Sequence, residues 1–400
     1  MSRHRKILVI APVVPAPWFG AGTRNFQLIR HLAAVNEVSV LTYASSDEAP
    51  AVERLKGIVN HVRVVGRTET ARSARRLDQF ASLLAPTPFH IRELHSRDMQ
   101  EAINSEVGNG RFDIVQVEGS QLCSFEIPCG VAVVLDEHNV EYEVLHRMAE
   151  GERTPLRRAF SAVEYRKFRR VEQQWWRRAD GVAVTSEREL PTVERHAPGT
   201  KVVVVPNAVD PDEFKAHGGD PDPGSVLFFG TLGYRPNIDA VEWLLDNVLP
   251  ELLLLHPGAT VTVVGHGEEH DLDRFRRPGV LVTGRVPDVR PYLQRAAVTA
   301  TPVRIGGGTR LKVLEALAMG KAVVSTTLGC EGIDVAHGEH VLVADDATGF
   351  AAAIARLLAD PSEGARLGTA GRRLVVQKYS WNIATRSLEA LYDMIGNPRQ

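Results

Sequence analysis

Residues 300–326 read ATPVRIGGGTRLKVLEALAMGKAVVST. An apolar run ends near Val303, three glycines follow, and a Leu/Ala-rich amphipathic pattern starts near Thr309 or Arg310 and stops at Gly320, a glycine suited to a helix C-cap. A second apolar run, AVVSTT (322–327), comes directly after it. Strand, glycine loop, helix and strand in so short a span describe a right-handed crossover between parallel strands.

The same grammar extends in both directions. Short β-branched runs occur at 6–12, 37–43, 61–66, 113–119, 131–137, 181–186 and 201–207, and again at 225–230, 260–265, 279–284, 297–302, 322–327 and 340–344. Their apolarity is continuous rather than alternating, as in strands covered on both faces by crossover helices. Thirteen strands crowd one open sheet, so two doubly wound parallel sheets are expected. The Pro-, Gly- and Asp-rich stretch PNAVDPDEFKAHGGDPDPGS (206–225) has no apolar period and reads as the break between them.

Composition narrows the function. With 47 Lys+Arg against 49 Asp+Glu, the chain is no general polyanion binder. Cys123, Cys129 and Cys330 include no C-x-x-C pair, which fits reduced thiols in a cytoplasmic protein. The basic, apolar start MSRHRKILVIAPVVPAPW is broken by Pro12, Pro15 and Pro17, so it reads as a buried strand entering a loop rather than a secretory signal. No run of about 18 apolar residues marks a membrane span.

Open α/β sheets bind ligands beyond the carboxyl ends of their strands. Three strand ends there carry candidate chemistry. At the first, Gly306, Gly307 and Gly308 let backbone N–H groups approach an anion at a helix N-terminus, and Thr309, Arg310 and Lys312 stand beside them. Lys312 and Glu315 are i,i+3 neighbours. Arg310 lies about 200° from Lys312 on a regular helix, so both reach one ligand only if Arg310 sits in an irregular first turn. At the second, Gly20 and Gly22 precede a helix whose first turn holds Arg24, again a potential anion nest. At the third, Asp136, Glu137, His138 and Asn139 close the run 131–137. The AMGK stretch (318–321) is not a P-loop and the Gly20–Gly22 loop is not a dinucleotide fingerprint, since Glu315 and Asn25 stand where those need glycine.

The 300–326 stretch resembles the donor-site signature of GT-B glycosyltransferases of family 4, and within them the bacterial surface-polysaccharide sugar transferases. The resemblance implies two Rossmann-like domains facing across a cleft: residues 1–205 on the acceptor side, a linker at 206–224, a nucleotide-sugar domain at 225–379, and a last helix at about 380–396 returning to the first domain. It implies transfer of a sugar from a nucleotide-diphosphate sugar to a sugar, lipid-linked or small-molecule hydroxyl acceptor, with retained configuration, no cofactor and no metal. Carried onto this sequence, it gives His138 a hydrogen bond to the donor sugar and makes Arg310 and Lys312 the groups that stabilise the leaving diphosphate. Glu315 takes the ribose, and Gly20, Gly22, Arg24, Gly230, Thr231 and Arg235 take the phosphates or sugar. The backbone of Arg285 and Val286 reads the base. The family's Glu-x7-Glu pattern is incomplete, because its first position falls on Gly307. Two other readings remain: a nucleotide-sugar epimerase of the same fold, and a non-catalytic donor-binding subunit.

Two further features stand apart. HGEEH (266–270) fits H-x-x-E-H but lacks the long helix that would aim both histidines at one metal. Segment 153–178 carries nine basic residues against Glu164 and Glu172, with Phe160, Phe168, Trp175 and Trp176 interleaved. It suits either a solvated helix or a basic surface touching the inner face of a membrane; without an accompanying module it does not suit nucleic acid.

Overall fold

The structure is a computed structural model that describes residues 4–17, 20–67, 79, 81–83, 85–150, 154–216 and 218–396. It contains the two parallel sheets expected. The first has seven strands: β1 (Lys6–Ala11), β2 (Glu37–Ala44), β3 (His61–Gly66), β4 (Ile114–Glu118), β5 (Ala132–Asp136), β6 (Gly181–Val184) and β7 (Lys201–Val204). The second has six: β8 (Ser225–Phe229), β9 (Thr260–Val264), β10 (Val280–Gly284), β11 (Val298–Thr301), β12 (Ala322–Ser325) and β13 (Leu342–Val343).

Strand order is β3-β2-β1-β4-β5-β6-β7 in the first sheet and β10-β9-β8-β11-β12-β13 in the second. Every neighbouring pair is parallel, with Ile7 opposite both Val38 and Ile114, and Val226 opposite both Val261 and Val298. The continuous apolar runs are explained by burial on both faces. Ile7 through Ala11 and Ile114 through Glu118 are all buried, because helices cover each side of the sheet. In each sheet the order reverses beside the first strand of the unit, at β1/β4 and at β8/β11, and such reversals open a crevice at the carboxyl ends.

The chain divides into two compact units, Met1–Pro206 with Trp381–Gln400, and Asn207–Ser380. The last helix, Trp381–Ile395, therefore belongs with the first sheet: a Cβ added at Gly181 of β6 would lie 2.9 Å from Leu391. The Pro/Gly/Asp-rich stretch is no free tether. Val209 bridges to Ser380, Arg372 donates to the carbonyls of Pro211 and Phe214, Gln294 donates to Gly218, and Arg295 pairs with Asp222. Its lack of apolar period reflects backbone pairing to the second unit rather than freedom from it.

Candidate functional site

In the second unit the switch point joins two segments that are distant in sequence. β8 ends at Phe229, just before Gly230, helix Arg235–Trp243 follows, and β11 runs out into the glycine loop. Gly306 and Gly308 have φ of +99° and +79°, a region that only glycine adopts without strain. A Cβ at Gly306 would lie 3.3 Å from Pro236 and 3.4 Å from the Arg310 guanidinium, so the loop lies against the start of helix Arg235–Trp243. Arg310 is the N-cap of helix Leu311–Ala318, extended at φ −85°, ψ 104°, and its guanidinium donates to the Gly307 carbonyl. The geometric condition for Arg310 to share a ligand with Lys312 is thus met, since Arg310 stands outside the regular helix. The buried Thr309 hydroxyl has no hydrogen-bond partner among the described residues.

Lys312 is placed by neutral groups. Its Nζ donates to Asn237 Oδ1 at 2.8 Å and sits 4.3 Å from the centre of the Phe228 ring. Asn237 is oriented in turn by donating to the Thr231 carbonyl at 2.8 Å. Gly230 gives the ammonium its room: a Cβ there would come within 2.7 Å of Nζ. Burial, with the Arg310 guanidinium adding to it, pulls the Lys312 ammonium down to about 7 against the opposing pull of Glu315. Burial likewise pushes the Glu315 carboxyl up to about 7, with Lys312 opposing. Lys312 and Glu315 thus stand one helical turn apart beside the glycine loop, each drawn by burial toward neutrality.

Thr231 and Arg235 are exposed at the rim of this switch point, and Arg285 is exposed after β10 while Val286 packs partly on the core. Arg304, two residues before the glycines, is spent on Asp239 at 2.9 Å and on the Trp243 ring. The HGEEH stretch lies on a loop and the five-residue helix Glu269–Asp273, with His266 and His270 both exposed.

The first unit gathers a different set at the ends of β4 and β5. His138 Nε2 lies 2.9 Å from Glu118 Oε2, and Glu118 is fully buried. Burial and the neighbouring Asp136 charge push the Glu118 carboxyl up, while His138 pulls it down. Arg24 lies at the same strand ends. Read from sequence as a cation beside the Gly20–Gly22 nest, it is 1% exposed and donates to Asp136 from Nη2 at 2.8 Å and from Nε at 3.2 Å, and to the Val205 carbonyl at 2.9 Å. Arg24 stands on helix Gly20–Ala33 and ties it to the end of β5. Glu118, Asp136 and His138 each offer a ligand atom within 4.8 Å of the others, as a metal would need. The Arg24 guanidinium already occupies both Asp136 oxygens, which fits a charge-neutralised cluster better than a cation site.

Sequence reasoning passed over Glu118, Gln116 and Tyr392, which join His138 in one network. The available signal was polarity inside β4, where Gln116 and Glu118 interrupt an otherwise apolar run. Behind this end, Glu172 accepts from Ser120 Oγ and from the backbone N–H groups of Glu141 and Tyr142, and burial pushes its carboxyl up to about 8. Glu137 accepts from the Trp176 indole and is also pushed well up by burial.

The basic segment is one helix, Pro155–Arg178; Arg153 lies outside the described residues. Glu164 and Glu172 are buried, whereas Arg157, Arg158, Arg166, Arg169, Arg170, Arg177 and Arg178 are exposed, so its outer face carries positive charge alone. No described helix is long and apolar enough to cross a membrane.

Comparison with known proteins adds the following. Residues 19–213 match the family described as Glycosyltransferase Family 4, and residues 223–360 match Glycosyl transferases group 1. The chain is 28% identical over 213 residues to a glycogen synthase of Mycobacterium tuberculosis, covering 50% of each chain. It is 29% identical over 216 residues to a phosphatidyl-myo-inositol mannosyltransferase of Mycolicibacterium smegmatis, covering 50% of this chain and 54% of that one. The alignments thus span about half the length of these curated relatives. Among solved structures, a sucrose-phosphate synthase of Thermosynechococcus elongatus superposes with a TM-score of 0.72 at 18% identity, over 98% of this chain and 99% of that one. That likeness establishes the two-sheet architecture as GT-B.

Proposed function

Because the chain belongs to the group 1 and family 4 glycosyltransferases and has their GT-B fold, we propose that it moves a sugar from a nucleoside-diphosphate sugar to a hydroxyl acceptor, with retention of configuration and without a metal. The observation that carries this reading is the placement of Lys312. A partly desolvated ammonium, held by an amide and a ring rather than by a carboxylate, stands beside Arg310 and three glycines at a strand-order reversal.

The difficult event in such a transfer is departure of the nucleoside diphosphate with its negative charge. Backbone N–H groups from Gly306 to Thr309, Arg310 and Lys312 stabilise charge that develops there, in a site already low in water. Thr309 supplies a hydroxyl to the same anion. Glu315 accepts from the ribose hydroxyls, and the backbone at Arg285 and Val286 borders the base. In the first unit His138 is the group that addresses the sugar. The departing phosphate takes the acceptor proton, so no separate strong base is required of the protein.

The relatives include a glycogen synthase and a phosphatidyl-myo-inositol mannosyltransferase, which supports a sugar or lipid-linked acceptor in glycan assembly. The all-positive outer face of helix Pro155–Arg178 supports peripheral contact with an anionic membrane that would present such an acceptor. Incubation with a panel of nucleotide sugars, read by thermal stabilisation and then by product mass, tests the reading. Transfer to an added hydroxyl acceptor supports it. An epimerised donor without acceptor favours the epimerase, and stabilisation without turnover favours a donor-binding subunit.

A further inference from the structure

The last helix of the chain sends Tyr392 into the first unit, where it is 1% exposed. Its hydroxyl donates to Gln116 Oε1. The Gln116 amide, fully buried on β4, donates to Glu118 Oε1 at 2.5 Å, and Glu118 Oε2 meets His138 Nε2 at 2.9 Å. The polarity of this chain is set from its far end. A tyrosine hydroxyl facing the amide oxygen leaves the Gln116 nitrogen as donor, and that donor requires an acceptor oxygen on Glu118.

We propose that Glu118 is a positioning residue, held by Gln116 and Tyr392, which accepts Nε2–H of His138 and so fixes the imidazole's orientation and tautomer for the sugar. The role in transfer rests on the function proposed above; the tautomer does not. Other charged groups around the chain are accounted for. Asp136, the carboxylate beside Glu118, is neutralised by Arg24. Glu141 feels the His138 charge from the following helix. Arg5 lies 5.9 Å from the Tyr392 ring centre, and Glu389 approaches Tyr392 from its own helix. A buried carboxylate on one imidazole nitrogen is a familiar way to set which nitrogen carries the proton.

The directionality makes a sharp test. In Glu118→Gln the new amide must offer its oxygen to Gln116, so its NH2 faces His138 and donates to Nε2, moving the ring proton to Nδ1. Nitrogen-15 correlation spectra of histidine-labelled protein at pH 8, with His138 assigned through His138→Gln, read the tautomer without donor or turnover. Nε2–H in the wild type and Nδ1–H in Glu118→Gln are expected. Tyr392→Phe alone keeps Nε2–H, because a carboxylate at 118 only accepts, whereas Tyr392→Phe combined with Glu118→Gln frees the Gln116 amide to turn and yields both forms. An Nδ1–H ring in the wild type, a pure Nε2–H ring in Glu118→Gln, or a double variant indistinguishable from Glu118→Gln overturns the proposal.

With an active donor and acceptor, Glu118→Gln lowers kcat by about 10²-fold, with KM for donor changed less. An equal rise in KM at constant kcat overturns the positioning role. If no nucleotide sugar is turned over by the wild type, the functional reading fails while the tautomer result still decides the network.

Discussion

If Lys312 meets the donor diphosphate, binding must take up a proton, and the amount can be worked from the site. In the free protein burial and Arg310 bring its ammonium down to about 7. At pH 8 roughly nine molecules in ten then carry a neutral Lys312. A diphosphate beside Nζ restores the charged form, an uptake of about 0.9 proton. Glu315 works in the opposite direction: pushed up to about 7 and opposed by Lys312, it loses protons as that lysine becomes charged. At pH 8 it is already about nine-tenths ionised, so it returns only about 0.1 proton. The net is about 0.8 proton taken up per nucleoside diphosphate at pH 8, and the two contributions largely cancel at pH 7. Apparent affinity accordingly falls by nearly tenfold per pH unit above pH 8. Isothermal calorimetry in buffers of different ionisation enthalpy measures the number directly. Lys312→Met should abolish the uptake at pH 8. Zero uptake in the wild type, or the same uptake in the variant, would refute the reasoning.

Arg310→Ala, which removes a guanidinium from the glycine loop, lowers kcat by about 10²-fold with a smaller change in donor affinity, read by steady-state kinetics. Glu315→Gln weakens donor binding about tenfold in the same calorimeter, because a neutral amide is a poorer acceptor for ribose hydroxyls. Arg24→Met strands the buried Asp136 charge and costs about 3–5 kcal/mol in denaturant unfolding, whereas Arg24→Met with Asp136→Leu recovers most of it. A stable Arg24→Met with impaired donor KM would instead return Arg24 to the phosphates. Glu172, raised from 4.5 to about 8 mainly by burial, contributes stability that is full below pH 4.5 and lost as pH rises through 8. Glu172→Gln should flatten the fall in Tm between pH 6 and 9, and a slope equal to the wild type's would contradict that assignment.

The sheets were legible because burial on both faces leaves a local mark. Each run such as KILVIAP or AVVSTT contains its strand, and a parallel sheet covered by helices needs no more information than that continuity. The glycine loop was legible for a similar reason, since Gly306 and Gly308 stand where a positive φ excludes other residues. Charge was not. Arg24 and Arg310 each sit at the start of a helix after glycines, yet one turns inward to Asp136 and the other stays with the loop. Sequence spacing does not register which face of a first turn the tertiary structure covers. The network at His138 escaped because the Tyr392–Gln116 bond within it spans 276 residues, and no local period links them. The environment that pulls the Lys312 ammonium down was hidden too, because Phe228, Asn237 and Gly230 arrive from another strand end.

The most direct measurement is a crystal structure of the protein with a nucleoside diphosphate bound. The account predicts the terminal phosphate within about 3 Å of backbone N–H groups between Gly306 and Thr309 and of Lys312 Nζ. A diphosphate lodged away from that loop, with Lys312 still bonded only to Asn237, would contradict it.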